Sequence, residues 1–419
     1  MNEEFVIDEK MLVQSRKAIE NRTLCLNCIG RLFGKLGHGL SNKTRGEKIY
    51  SRLGMRISEG KCWLCDDIIK EIPKFSDLVI NELNKWDYSS FLIGTRLEKE
   101  ILAREEEIWM QTGAQYPELL KSELNREIGK LVETKIGKYA KFDIPDITSI
   151  VDTRYDLITL QVNSLFIYGR YLKFQRGIPQ TKWFCRICFG RGIDCKHCNG
   201  KGKMYETSVE ELIAGQLMKA AGGIDHAFHG MGREDIDALM LGNGRPFIIE
   251  IKRPMIRGIP INNLEEQINK ECSGKIKVMN MKFTTQQEVE RLKSLQVPKT
   301  YHIKIRIPSW HEGKEKLKKG VSIFGGLQIT QQTPTRVVHR RADLIRKKRI
   351  LEVNLIDWID EEKKATLSIK AESGTYIKEL ITGDEGRTKP NISESIGSKC
   401  EILELDVVKI HDEEVSEKN

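Results

Sequence analysis

Apolar positions recur at helical spacing near the start of the chain, in MLVQSRKAIENRTLCLNCIGRLFGKLG. Residues 9–60 therefore read as helix, broken at Gly37-His38-Gly39 and at Ser41-Asn42. Two more helices are expected in RLEKEILAREEEIWMQ and YPELLKSELNREIGKLVETKI, after which the period drops to two in DLITLQVNSLFIYGRYLK, a strand pattern. Farther on, SVEELIAGQLMKAAGG reads as an amphipathic helix. Residues 236–241 and 247–251 are strand-like on either side of Gly242-Asn243-Gly244, a tight-turn signal, so a hairpin is expected there. Further strands are expected in TYHIKIRIP, EVNLIDWIDEEKKATLSIKAES and CEILELDVVKI. Strand-rich segments with interspersed helices predict an α+β chain whose C-terminal part lies on a mixed or antiparallel sheet.

The 419 residues exceed the size of one domain, about 100–200 residues, so several are expected. The pattern suggests parts at 1–90, 91–180, 181–203 and 204–419. The N-terminal stretch MNEEFVIDEKMLVQSRKAIE lacks a signal pattern, and no apolar run reaches the roughly 18–20 residues of a membrane helix, so a cytoplasmic protein is expected. Lys and Arg outnumber Asp and Glu by nine, and the excess is uneven: residues 336–349, RVVHRRADLIRKKR, carry seven Lys or Arg against Asp343 alone. Such a block suits either a polyanionic partner or a solvated helix face.

Eight of the ten cysteines fall in C-x-x-C pairs: Cys25/Cys28, Cys62/Cys65, Cys185/Cys188 and Cys195/Cys198. Two such turns together supply the four thiolates that structural zinc prefers, so two zinc sites are expected. The second set is compact, with six residues between its knuckles; the first is paired across 33 residues by elimination. Four-cysteine sites are closed, leaving no coordination position for chemistry. Catalysis must come from elsewhere.

Three acids stand within four residues in HGMGREDIDALMLGNGRPFIIEIKRP. No G-x-G-x-x-G after a strand, no P-loop and no G-x-S-x-G elbow is present, which removes the common nucleotide and hydrolase signatures. By itself, RED reads as a solvated loop or cap ahead of the other reading, a carboxylate nucleophile or acid/base group held by a cation. The segment from Arg170 to Trp183 interleaves basic and aromatic residues, the mix that stacks on bases while touching phosphates, or else a basic surface loop.

A second motif decides between these. SGTYIK (373–378) resembles the Gly-Thr-Tyr-Ile-basic motif of the bacterial T-loop pseudouridine synthases, and GRED fits the Arg-x-Asp pattern around that superfamily's catalytic aspartate. With NGRPFIIEIKRP, KTY (299–301), QQTPTRVVHRRADLIRKKR and GDEGRTKPNISE, the chain resembles the archaeal-type tRNA pseudouridine-54/55 synthases. Those enzymes carry an N-terminal THUMP-like RNA-binding domain. The likeness is dense over residues 208–408 and thinner through the cysteine pairs.

The resemblance implies a helical zinc module at 1–90, a THUMP-like domain at 91–180, a zinc knuckle insert at 181–203 and a pseudouridine synthase domain at 204–419. It implies isomerisation of uridine in the tRNA T-arm after base flipping, with zinc as structural metal, no organic cofactor, and no membrane or obligate protein partner. Asp235 would be the catalytic aspartate, with Glu234 and Asp237 merely nearby and outward. Tyr301 would stack on the base and could take the C5 proton. Lys378, where bacterial relatives carry arginine, would pair with Asp235 to keep it ionised, as a point charge rather than a fork. Ile377 and Leu405 would floor the pocket, and Arg233, Tyr376, Arg336, Arg340 and Arg341 would contact the substrate. Lys182, Arg186, Arg191, Lys196, Lys201 and Lys203 around the second knuckle are further candidates for tRNA contact. The alternative is a non-catalytic zinc-containing tRNA-binding protein or chaperone.

Overall fold

In the computed structural model, which describes residues 5–20, 22–56 and 59–412 apart from the Arg340 side chain, the chain forms two compact units. One comprises residues 1–164 with 253–258, the other residues 165–252 with 259–419. The first opens with α1 (Glu9–Ile19), α2 (Leu26–Arg31) and α3 (Asn42–Leu53). Their ends follow from capping chemistry. The Asp8 carboxylate accepts from the Met11 amide at 2.7 Å, Ser41 Oγ from the Thr44 amide at 3.0 Å, and Gly54 closes α3 at φ 65°. There follow α4 (Ile72–Leu83), β1 (Ser90–Arg96), α5 (Lys99–Thr112), α6 (Leu120–Ile136), β2 (Tyr139–Ala140), β3 (Ile147–Asp152) and β4 (Leu157–Val162). The sheet order is β2-β1-β3-β4, parallel on both sides of β1 and antiparallel between β3 and β4.

The apolar stripe of α6, Leu124, Ile128 and Val132, packs into one core with Phe91 and Ile147 of the sheet and with Leu24, Ile29 and Phe33 of the helical start. The expected module at 1–90 is thus not separate from the α+β part that follows; one core serves both. Buried Arg31 joins them chemically, pairing with Glu123 at 3.0 Å and Glu105 at 3.5 Å.

The second unit begins inside the period-two run itself. Its first half, β4, belongs to the first unit; its second half is β5 (Leu165–Lys173), so the division falls at Ser164/Leu165 rather than near residue 180. Then come α7 (Val209–Ala221), β6 (Asp225–Gly230), β7 (Leu239–Lys252), α8 (Ile261–Glu271), β8 (Ile276–Thr284), α9 (Gln286–Ser294), β9 (Lys299–Arg306), α10 (Gly313–Ser322) and β10 (Gln328–Gln332). The chain continues through β11 (Ile345–Ile359), β12 (Lys364–Ala371), α11 (Ile377–Thr382), β13 (Thr388–Lys389), α12 (Ile392–Ile396) and β14 (Glu401–Ile410). Ten strands form one sheet in the order β13-β10-β11-β12-β9-β14-β7-β5-β8, with β6 paired to β7; every pairing is antiparallel except β7 with β14. The basic block enters it as a short 3-10 turn (Thr335–Arg340) followed by β11, not as a helix face.

The expected hairpin about Gly242-Asn243-Gly244 is absent, because β7 runs through it without reversing. The Asn243 side chain stitches the segment to β14, donating to Ile410 O at 2.7 Å and accepting from the Ile410 amide at 3.0 Å, while pairing with β5 jumps from Tyr171/Arg245 to Lys173/Met240. The glycines therefore form a bulge. A Cβ at Gly242 would stand 1.8 Å from Val408 O at φ 61°, so only glycine fits there. The true reversal is between β6 and β7, and its loop, residues 231–238, contains GRED.

Candidate active site

That loop is pinned carbonyl by carbonyl from beneath. Arg245 donates to Met231 O at 2.7 Å, Gln180 to Gly232 O at 3.0 Å, Lys173 to Asp235 O and Ile236 O at 3.3 Å each, and Arg176 to Asp237 O at 2.7 Å. Arg176 is held by Asp406 at 2.7 Å, while Arg245, Lys173 and, through Tyr171, Gln180 gather on Glu234. Glu234 is not outward: its side chain is 0% exposed. Both its oxygens accept from Tyr171 Oη at 2.8 Å, Arg245 Nε stands 2.8 Å away, and Lys173 Nζ lies at 3.8 Å. The Arg245 Nε–H is not aimed at the carboxylate, so that contact is a charge pairing rather than a hydrogen bond. Tyr171 and Lys173 lie one strand period apart on the inner face of β5 and are fully buried. The basic-aromatic segment 170–183 is thus, in these residues, the support of the loop and not an RNA surface.

Asp235, next in sequence, has the opposite environment. Its side chain is 31% exposed at a pocket lined by Arg233, Tyr301, Arg336, Arg341, Tyr376, Ile377, Lys378 and Leu405 among others. Arg336 Nη1 stands 3.2 Å and 3.1 Å from its two oxygens, and Lys378 Nζ stands 3.5 Å away. Lys378 is nearer to Asp237, at 2.8 Å, so the expected lysine–aspartate pairing is shared and its shorter half goes to the neighbour. Burial opposes ionisation of Asp237, but the Lys378 ammonium outweighs it and lowers the pKa. Arg336 is held in turn by Glu379 at 2.6 Å; burial opposes its charge, and Glu379 with Asp235 raises its pKa above the usual arginine value.

The expected catalytic residues Asp235, Tyr301 and Lys378 and the expected substrate contacts Ile377, Leu405, Arg233, Tyr376, Arg336 and Arg341 all line the one pocket; the Arg340 side chain lies outside the described residues, and the cations around the second knuckle do not line it. Tyr301, on central β9, is buried, which, with Asp235 adding to the effect and Arg245 opposing it, pushes its pKa up to about 12. It is a neutral phenol at physiological pH. Arg341 Nη1 donates to Tyr376 Oη at 3.0 Å, and Ile377 and Leu405 are buried at the base. Sequence reasoning missed Tyr171, Lys173, Gln180, Arg245, Glu379 and Lys299. Lys299, two residues from Tyr301 on the same face of β9, lines the pocket, and burial followed by repulsion from Arg245 and Lys348 brings its pKa down to about 8. The alternation of KTYHIKI was the signal available for it.

The cysteines assemble as two groups of four, Cys25, Cys28, Cys62 and Cys65 in the first unit and Cys185, Cys188, Cys195 and Cys198 in the second. Four sulfurs at about 2.3 Å from a tetrahedral metal stand about 3.8 Å apart. Here Cys25–Cys65 and Cys28–Cys62 are separated by 3.8 and 3.6 Å, Cys185–Cys195 and Cys188–Cys198 by 3.8 and 3.7 Å. The amides of Gly192 and Gly202 point at Cys188 and Cys198 Sγ from 3.3 and 3.2 Å, the support that thiolates need. Both groups could hold a metal ion. No helix among the described residues is long and apolar enough to cross a membrane.

The family model described as Pus10, C-terminal, matches residues 166–411, and that described as Pus10 THUMP domain, archaeal, matches residues 75–152. Proteins named tRNA pseudouridine synthase Pus10 are similar along nearly the whole chain. The one from Methanothermobacter marburgensis is 41% identical over 94% of this chain and 96% of its own. That from Methanothrix thermoacetophila is 38% identical over 92% and 91%, and that from Pyrococcus furiosus 37% identical over 96% and 98%.

Proposed function

The chain belongs to the Pus10 family of tRNA pseudouridine synthases, and from that premise we propose that it acts on the T-arm, at position 54, 55 or both, with Asp235 as the catalytic carboxylate. The reaction is an isomerisation of uridine in tRNA. The N1–C1′ bond breaks, the base turns, a C5–C1′ bond forms, C5 loses a proton and N1 gains one, so atoms balance without a cofactor. One observation carries the assignment: of the three acids in the loop, Asp235 alone both lines the pocket with partial exposure and is flanked by two cations.

Tyr301 would pack its neutral ring on the flipped uracil, over a floor of Ile377 and Leu405. Arg336 and Lys378 flank and orient Asp235, while Tyr376, Arg341 and Arg233 contact the extruded nucleotide and its phosphates. Flipping costs a few kcal/mol, and these contacts return it. The THUMP part of the first unit docks the tRNA by shape and phosphate contact, in the cytoplasm. Both cysteine groups hold structural zinc, chosen over iron on the closed four-thiolate set with tetrahedral spacing.

An unmodified tRNA transcript incubated with the protein, without added cofactor, and mapped by carbodiimide primer extension tests this. A T-arm stop that disappears with Asp235→Ala is expected. Salt-sensitive binding of the transcript with every uridine unchanged would replace the enzyme with the non-catalytic tRNA-binding reading.

A further inference from the structure

The second cysteine group is built from a duplicated segment: C-R-I-C-F-G-R-G (185–192) and C-K-H-C-N-G-K-G (195–202). The two copies fold alike. Phe189 and Asn199 occupy equivalent left-handed positions at φ 51° and 49°, each is followed by a positive-φ glycine, and Arg191 and Lys201 amides bond back to Cys188 O and Cys198 O at 3.0 Å. Asparagine tolerates that backbone; phenylalanine does not, and pays a conformational penalty. Phe189 is nevertheless 76% exposed. Among the described residues, no packing explains the ring.

Phe184 is a second uncovered aromatic, 58% exposed, with the Lys182 ammonium 5.1 Å from its ring centroid. Six Lys or Arg against Asp194 alone lie between Lys182 and Lys203. The segment reaches the catalytic cleft through Trp183. Trp183, adjoining Phe184, lines a depression together with Asp235, Arg336 and Lys378. Exposed rings among cations recognise single-stranded RNA, whose bases are free to stack, and not a duplex, whose bases are not.

We propose that Phe184 and Phe189 form a base-stacking subsite for unpaired nucleotides of the tRNA loop next to the uridine delivered to Asp235, with Lys182, Arg186 and Arg191 meeting their phosphates. This rests on the function proposed above. The knuckle is then a grip on the substrate, where its metal only shapes the grip.

The test compares Phe189→Asn, Phe189→Trp and Phe184→Ala in the full, zinc-loaded chain. Phe189→Asn installs the residue of the twin knuckle, relieving the backbone, so a merely structural phenylalanine predicts equal or better folding and unchanged kinetics. The stacking subsite predicts a half-saturating tRNA concentration raised about tenfold, within the roughly five- to hundredfold range of one lost base stack, at unchanged kcat and zinc content. Phe189→Trp should restore it, and Phe184→Ala should repeat the loss. In direct binding, the loss should appear with a labelled T-arm hairpin and not with the same stem closed as a duplex. Wild-type half-saturation in Phe189→Asn, equal losses on hairpin and duplex, or failure of tryptophan to rescue would each overturn the proposal. Wild-type enzyme that forms no pseudouridine would instead bring down the premise.

Discussion

Replacing Glu234 by glutamine probes the loop's foundation while leaving the exposed chemistry untouched. The carboxylate sits between Arg245 and Lys173, each at most 1% exposed, and takes two 2.8 Å contacts from the Tyr171 hydroxyl. Glutamine keeps the volume and one acceptor, so Tyr171 can stay bonded. What is lost is, among the described residues, the one opposite charge in contact with these two buried cations. Breaking such a pair costs about 3–5 kcal/mol. Lys173 recovers part of this by shedding its proton, since burial already lowers its pKa despite Glu234. A loss of about 3 kcal/mol at pH 7 is expected, a large share of a typical ~5–15 kcal/mol domain stability.

The sign with pH follows. In the variant the native state releases the Lys173 proton at a lower pH than the unfolded chain does, so stability rises with pH and the deficit shrinks toward alkaline conditions. Guanidinium unfolding at pH 6.5 and 9, with the first unit's transition as internal control, measures both quantities. Turnover should fall with the loop's loss of support while tRNA affinity holds. A deficit under about 1 kcal/mol, or one that does not change between the two pH values, would show that Glu234 is not an anchor of the loop.

Lys299 gives a second pH signature. Its pKa of about 8 lies below the roughly 10.4 of an unfolded lysine, so between those values the unfolded chain binds more protons and stability rises with pH, by up to ~3 kcal/mol. The difference in stability between wild type and Lys299→Met should climb across that window in urea titrations; a flat difference refutes the shift. Purified protein should carry two equivalents of zinc by atomic absorption, with one lost in Cys62→Ser alongside a weakened first unit. In Cys198→Ser one equivalent should again be lost, with the first unit's unfolding unchanged. A single equivalent in wild type would remove one of the sites.

How much was legible depended on whether a pattern was local. Helices with a buried stripe and a capping signal, such as α7 behind Ser208-Val-Glu-Glu211, stand where periodicity put them, because stripe and cap are written within a few residues. Gly242-Asn243-Gly244 misled because turn and bulge use the same positive-φ residues, and what separates them is Ile410, 167 positions away. The β4–β5 run read as one strand because its alternation is unbroken, yet its halves serve different sheets. The cysteines were legible as sets because ligand chemistry restricts spacing. Lys173 and Arg245 were not, since a buried cation is recognisable only beside the carboxylate that stabilises it, and Glu234 looked like one acid among three.

Those three acids divide the work in a way that follows from contact length and exposure. Glu234 has short contacts and no exposure; it fixes where the loop lies. Asp237, 68% exposed, takes the shorter contact of Lys378 and so tethers that lysine beside the pocket without neutralising Asp235. Asp235 is left with contacts of 3.1–3.5 Å, longer than the about 2.7–2.9 Å of a tight charge-assisted bond. A carboxylate that must meet a sugar or base carbon in the proposed reaction has to leave its cations part-way, and weak holding lowers the cost of doing so. The backbone beneath is rigid, clamped at five carbonyls, so the freedom is confined to the side chain. A tight arginine fork on Asp235 would give better order in the ground state and a poorer nucleophile. The lysine at position 378, shared with Asp237, suits the second requirement.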